Sequence, residues 1–358
     1  MTKLNLFVSG MFRSGTTLLA RMLNAHPLIC LASDPFAPIF KFFRNEIAIQ
    51  SFGSSFDPNS PLDDYYFHKD KQILSDKIYN TPLNLCLKCY NIEQIRDRII
   101  NHCRPFSPQI IPYINDLCGA SYEDVLKSGM NLVERVYGKG LPNVIGIKEV
   151  WTNEFVHHFL DTFENAKSIL IIRDPRAVVA SNYATSKNRY PFLFLCRQWR
   201  KLAELSFYYN NKYENVLLLR FEDLIANPET TARKICQFLN VEFNENLVDP
   251  TTFKDGANRS WEQNTSHNDA KRGFNKNVLE KWSQTLDAEM IRFVEAMCSN
   301  YMERLGYENK FDSNLPSYIK ALTEFNEIES GIAEWIKPYI KYEKALEYKY
   351  EIDRLKVQ

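Results

Sequence analysis

The chain has 358 residues, of which 45% are hydrophobic and 13% aromatic, so it can bury a large core and is not a disordered polypeptide. Its 44 basic and 44 acidic residues cancel, which removes any global field for nucleic acid or an anionic membrane and makes any anion site a local one. The N-terminus shows no basic leader, and no apolar run is long enough to span a bilayer, so the expectation is a cytoplasmic protein without a membrane span.

In chain order, residues 4–9 (LNLFVS) are a short continuous apolar run that reads as a buried strand. The loop GMFRSGTT at 10–17 follows and leads into a helical pattern. Residues 35–140 are aromatic-rich, with Pro and Ser clusters near 53–63 and 104–113 and helical patterns near 91–101 and 120–138. This long insertion reads as a cap over an acceptor site. Further apolar runs stand at 144–148 (VIGIK), 168–172 (SILII) and 216–220 (VLLLR). Such runs alternating with helices predict an α/β fold, a P-loop-like parallel sheet flanked by helices. Ligands of such sheets bind at the carboxyl ends of the strands. After Tyr307, the apolar residues Ile319, Leu322, Phe325, Ile328, Ile332, Trp335 and Ile336 predict an amphipathic helix. The domain expected is 1–308, with a C-terminal helical extension at 309–358 that packs on its own domain or pairs two copies as a homodimer.

The eight cysteines are scattered and mostly apolar in context, so no disulfide is expected. Cys86 and Cys89 form a CxxC, but with Cys103 they lack the second pair that a zinc site needs, and no metal is expected.

The loop at 10–17 concentrates groups that bind an anion. A strand-to-helix turn aims backbone N–H groups and the positive end of the helix at one spot. Gly15 permits close approach, Ser14, Thr16 and Thr17 add hydroxyls, and Arg13 supplies a permanently charged planar fork. Thr16 stands where a nucleotide triphosphatase or kinase has lysine, and the strand at 168–172 ends in Arg173 rather than an acidic Mg²⁺ ligand, which disfavours a kinase. A second constellation, RDPRAVVAS, delivers Arg173 at that strand end, Asp174 as N-cap, Pro175 as first helical residue and Ser181 two turns later. Arg173 and Ser181 can grip one phosphate, or Arg173 can pair with a carboxylate such as Asp174.

Together FRSGTT and RDPRAVVAS, with arginine and serine eight positions apart, resemble the two cofactor motifs of the sulfotransferase superfamily. RSGTTLLARMLNAHP is most similar to tyrosylprotein and carbohydrate sulfotransferases and their bacterial relatives. LLLRFEDLIANPETTARKICQFLNV (217–241) and KNVLEKW (276–282) support the likeness, which covers roughly residues 4–307. The resemblance implies transfer of a sulfuryl group from 3′-phosphoadenosine 5′-phosphosulfate to a hydroxyl acceptor on a glycan or small metabolite, with no metal. Arg13, Ser14, Gly15, Thr16 and Thr17 would hold the 5′-phosphosulfate, and Arg173 and Ser181 the 3′-phosphate. Ser266, Lys271 and Arg272 would close over the cofactor, or form a solvated turn. Asp34, 21 residues after Arg13, stands where relatives have a glutamate base; Lys148 would stabilise the transferring group, or else pair with a carboxylate such as Glu149. His157, His158 and His267 remain alternative bases, while His26 closes a helix. Phe221 replaces a tyrosine that contacts the cofactor in relatives. The competing readings are a P-loop-like nucleotide kinase and a non-catalytic nucleotide-binding module.

Overall fold

In this computed structural model residues 3–61, 69–138, 140, 142–184, 188–261, 273–327, 329–339 and 344–357 are described. Strand β1 (Leu4–Gly10) turns into helix α1 (Thr16–Ala25); β2 (Ile29–Ser33) follows, and α2 (Ala37–Phe52), α3 (Lys69–Asn80), α4 (Ile92–Cys103) and α5 (Tyr122–Tyr137) precede β3 (Val144–Val150). Next come α6 (Val156–Thr162), β4 (Ala166–Ile172), α7 (Pro175–Tyr183), α8 (Phe192–Lys212), β5 (Val216–Arg220), α9 (Phe221–Ala226) and α10 (Pro228–Leu239). The chain closes with α11 (Trp282–Thr285), α12 (Ala288–Arg304), α13 (Leu315–Glu324) and α14 (Lys344–Val357).

The five strands form one sheet in the order β2-β3-β1-β4-β5, and every pairing is parallel. Four strands stand where the apolar runs placed them. The fifth, β2, was not foreseen: ICLAS is only five residues long and mostly small, with one β-branched residue, Ile29, and no aromatic to mark it as a strand. It is nevertheless wholly buried, because β3 pairs with it and α5 packs on both. The helical insertion therefore lies between β2 and β3 rather than between the first two strands.

The chain divides into two compact units. The first comprises Met1–Pro58, Ile73–Ile172 and Leu205–Lys276 and contains the sheet. Its core runs through Phe7, stacked on Phe159 with ring centroids 5.0 Å apart, and through Phe40 on Phe155 at 5.1 Å. The second comprises Asn59–Gln72, Arg173–Glu204 and Asn277–Gln358.

In the second unit the single amphipathic helix expected over residues 319–336 is broken. Helix α13 stops at Glu324, and Phe325 turns extended (φ −63°, ψ 131°) to stack its ring on Phe293 at 4.1 Å. Ile332 and Ile336 are still buried, but they belong to an irregular segment in which Gly331 takes φ 79°. Trp335 is 51% exposed, and Ile328 lies outside the described residues. Aromatic docking has outweighed helix periodicity here. Among the described residues no helix is long and apolar enough to cross a membrane.

Candidate active site

Parallel strands deliver their carboxyl ends to one edge of the sheet. Arg13, Asp34 and Trp151, which follow β1, β2 and β3 closely, take φ values of 66°, 47° and 65°. Such strain persists where surrounding structure enforces it, as at functional sites.

The loop after β1 is held tightly. Ser14 N–H donates to Met11 O at 3.1 Å, and the ring of Trp151 stacks on Phe12 at 5.7 Å. Gly15 has φ 85°, and a Cβ there would lie 2.2 Å from Cδ2 of Phe221. Phe221 is thus the floor on which the loop rests. Helix α1 begins with Gly15 as N-cap, with no side-chain capping bond and no acidic residue in its first turn. The Ser14 hydroxyl is fully buried and has no hydrogen-bond partner among the described residues. A buried donor left so costs about 1–3 kcal/mol, and an uncapped helix start attracts negative charge. The cradle fits an anion.

Gly15→Ala is expected to lower stability by more than the roughly 1–3 kcal/mol of a strained φ, because the new methyl also meets the ring. Gly53 is the control: it has φ 60° with nothing within 4 Å of a Cβ. Denaturant midpoints should rank Gly15→Ala below Gly53→Ala, and equal losses would show that the ring makes no tight contact.

Asp34 and Lys148 meet. Lys148 Nζ donates to Asp34 Oδ2, Asp34 Oδ1 accepts from Val150 N at 3.3 Å, and Asp34 N donates to Lys148 O at 2.6 Å. Both side chains are buried. Register explains the meeting: Ser33 lies opposite Lys148, so the residue after Ser33 curls over it. Asp34 does not cap α2, whose N-cap is Phe36, and the carboxylate that pairs with Lys148 is Asp34 rather than Glu149. Glu149 points the other way, is fully buried, and accepts from Phe36 N. Burial, and then the nearby Asp34, push its carboxyl well above the usual range.

The end of α4 is clipped onto the same turn. Ser107 Oγ accepts from Ser33 N at 3.1 Å and donates to Ser33 O at 2.6 Å, while Cys103 Sγ donates to Pro35 O at 3.4 Å. Burial pushes the Cys103 thiol up to about 12. Cys103 is buried whereas Cys86 and Cys89 are exposed.

The remaining candidates separate by role. His26 accepts from Leu28 N at 3.1 Å and bonds Glu242 O at 2.9 Å, closing α1 as expected. His157 is held between Tyr209 Oη (3.0 Å) and Tyr79 O (2.8 Å), and His158 bonds Ile78 O and Thr81 O at 2.9 Å. Burial lowers both imidazoles, His158 to about 3. In the second unit Arg173 and Ser181 are 7% and 5% exposed; the Trp199 indole donates to Arg173 O at 2.8 Å, and Arg173 Nη2 donates to Val278 O at 3.2 Å. Asp174 caps α7 by accepting from Arg176 N at 2.8 Å, and its carboxylate is bound by the Arg176 guanidinium. Ser266, His267, Lys271 and Arg272 lie outside the described residues.

A family model described as "Sulfotransferase family" matches residues 5–245. A putative protein-tyrosine sulfotransferase of Caenorhabditis briggsae is 22% identical over 206 residues, covering 55% of this chain and 71% of that protein. Rat carbohydrate sulfotransferase 1 is 25% identical over 178 residues, 40% of this chain, so the chain spans only 39% of that relative's length. Among solved structures, the sulfotransferase domain of the Synechococcus PCC 7002 olefin synthase superposes with TM-score 0.50 at 17% identity, covering 86% of this chain and 97% of that one. That last likeness is one of fold.

Proposed function

The chain belongs to the sulfotransferase family, and on that premise we propose that it moves a sulfuryl group from 3′-phosphoadenosine 5′-phosphosulfate to a hydroxyl acceptor. The observation that carries the reading is the strained GMFRSGTT loop, with its uncapped helix start and a buried Ser14 hydroxyl that has no partner among the described residues. The donor, when bound, supplies an activated sulfuryl group whose transfer leaves charge on a phosphate oxygen. That charge is assigned to the α1 N-terminus, Ser14, Thr16 and Thr17, with Arg13 as the fork that neutralises it. Arg173 and Ser181 are assigned the 3′-phosphate by their motif. The acceptor is a hydroxyl on a glycan or small metabolite; the nematode relative's name makes a tyrosyl peptide the second candidate.

Calorimetry with adenosine 3′,5′-bisphosphate, followed by a screen of sugar, phenolic and peptide-tyrosine acceptors, tests the reading. Binding with turnover supports it. Binding without turnover on any hydroxyl class would instead favour a non-catalytic nucleotide-binding module. Because cationic side chains are assigned the neutralising role, transfer should survive EDTA, and activity lost with the chelator and restored by Mg²⁺ would favour the kinase alternative.

A further inference from the structure

We propose, resting on that reading, that Tyr137 is a positioning residue for transfer. Its phenol ties the hairpin at 253–261 to Ser107 and so fixes the turn that carries Asp34 beside Lys148. All of these residues belong to the first unit. Tyr137 ends α5, is buried, and donates from Oη to Gly256 O at 3.1 Å. The same phenol bonds the Ser107 side chain. Ser107 in turn grips Ser33 at both its N–H and its carbonyl, and Asp34 is the next residue.

The hairpin is a stiff anchor. Asp255 accepts from Ala257 N and Arg259 N at 2.9 Å each, Asp255 N donates to Arg259 O at 2.8 Å, and Trp261 N donates to Phe253 O at 3.0 Å. It also lies hard against the clip: a Cβ on Gly256 would stand 1.6 Å from Phe106 O, and Gln109 Nε2 donates to Ala257 O at 3.0 Å. The Phe106–Ser107 stretch is thus held from two sides, by the hairpin and by the β2 turn. Burial pushes the Tyr137 phenol up to about 12, so its proton stays on Oη at neutral pH for Gly256. Taking the hydroxyl away cuts the bond to the hairpin while leaving the ring in place. Ser107 then loses one of its supports, and with it the Asp34 carboxylate, whose two oxygens take the Lys148 ammonium and the Val150 N–H, loses a fixed seat. Misplacing a reacting group by about 1 Å costs on the order of 10²-fold in rate.

The test compares wild type with Tyr137→Phe, Ser107→Ala and the two combined. Tyr122→Phe is the control: it deletes an equally buried hydroxyl of α5, one that donates to Phe42 O at 3.2 Å and Glu46 Oε2 at 3.1 Å on α2. Rates are taken where circular dichroism shows each variant folded, with bisphosphate calorimetry alongside. Expected are a kcat loss of about 10–10²-fold in Tyr137→Phe, a similar loss in Ser107→Ala, unchanged bisphosphate affinity and donor KM in both, and wild-type kcat in Tyr122→Phe. The combined variant should lose no more than Ser107→Ala alone, because both residues act through one route. Wild-type kcat in Tyr137→Phe, an equal loss in Tyr122→Phe, or additive losses in the combined variant would overturn the proposal. A wild-type chain that bound no bisphosphate, or turned over no hydroxyl acceptor, would overturn the sulfotransferase reading itself, a result visible before any variant is made.

Discussion

Arg13→Ala is expected to reduce sulfuryl transfer by about 10³–10⁵-fold, the scale on which an arginine stabilises a transferring phosphoryl group. The guanidinium is pre-set rather than recruited: the backbone holds φ 66°, and the guanidinium carbon lies 4.8 Å from the Phe12 ring centroid. Alanine meets the same positive φ, so the folded state should lose little, and a denaturation midpoint near that of wild type isolates the catalytic effect. Arg13→Lys keeps the charge but loses the two-pronged geometry, so it should recover only part of the rate. Arg173→Ala, in contrast, should weaken bisphosphate binding and raise KM for the donor, because its assigned contact exists before and during transfer alike. Near-wild-type turnover in Arg13→Ala together with unchanged bisphosphate affinity in Arg173→Ala would reject the site assignment.

How far the sequence discloses this arrangement depends on the range over which each feature is determined. LNLFVS, VIGIK, SILII and VLLLR declare their strands because continuous burial needs continuous apolar residues. ICLAS is hidden, since a small-residue strand owes its existence to the neighbour it pairs with. The anion loop is legible for the opposite reason: glycine, arginine and hydroxyls crowd eight consecutive positions, so local chemistry suffices. Asp34 and Lys148 could each be singled out, but their ion pair depends on the register of β2 on β3, which no local pattern reports. Ser107 and Cys103 bond the residues on either side of Asp34 from 74 and 68 positions further along the chain, and neither carries a signal of its own. The tail misleads for a related reason, because apolar spacing consistent with one helix is satisfied by a helix that ends where Phe325 finds Phe293.

Glu351→Ala is expected to cost at least about 3–5 kcal/mol, the penalty for breaking a buried ion pair. Within the second unit this carboxylate is 1% exposed and accepts from Arg197 Nε at 2.7 Å, Arg200 Nη1 at 2.6 Å and Arg354 Nε at 3.0 Å. Arg197 has a second partner in Glu347 at 2.8 Å, and Met297 O accepts at 3.2 Å from both Arg200 and Arg354. Deleting the carboxylate leaves Arg200 and Arg354 with the Met297 carbonyl and Arg197 with Glu347 alone, in a site that water scarcely reaches, and added salt should not make up the loss. Burial by itself would raise the Glu351 carboxyl, but Arg200, Arg197 and Arg354 together hold it well below the usual range. A depressed folded-state pKa stabilises the protein above the unfolded value of about 4.3, and that contribution drains away as pH falls toward the folded one. Glu351→Gln should thus flatten the acid side of the stability profile as well as lower it. Chemical denaturation of both variants from neutral to acid pH reads the effect. A Glu351→Ala protein within about 1 kcal/mol of wild type, as for an exposed pair, would show that the cluster does not anchor α14.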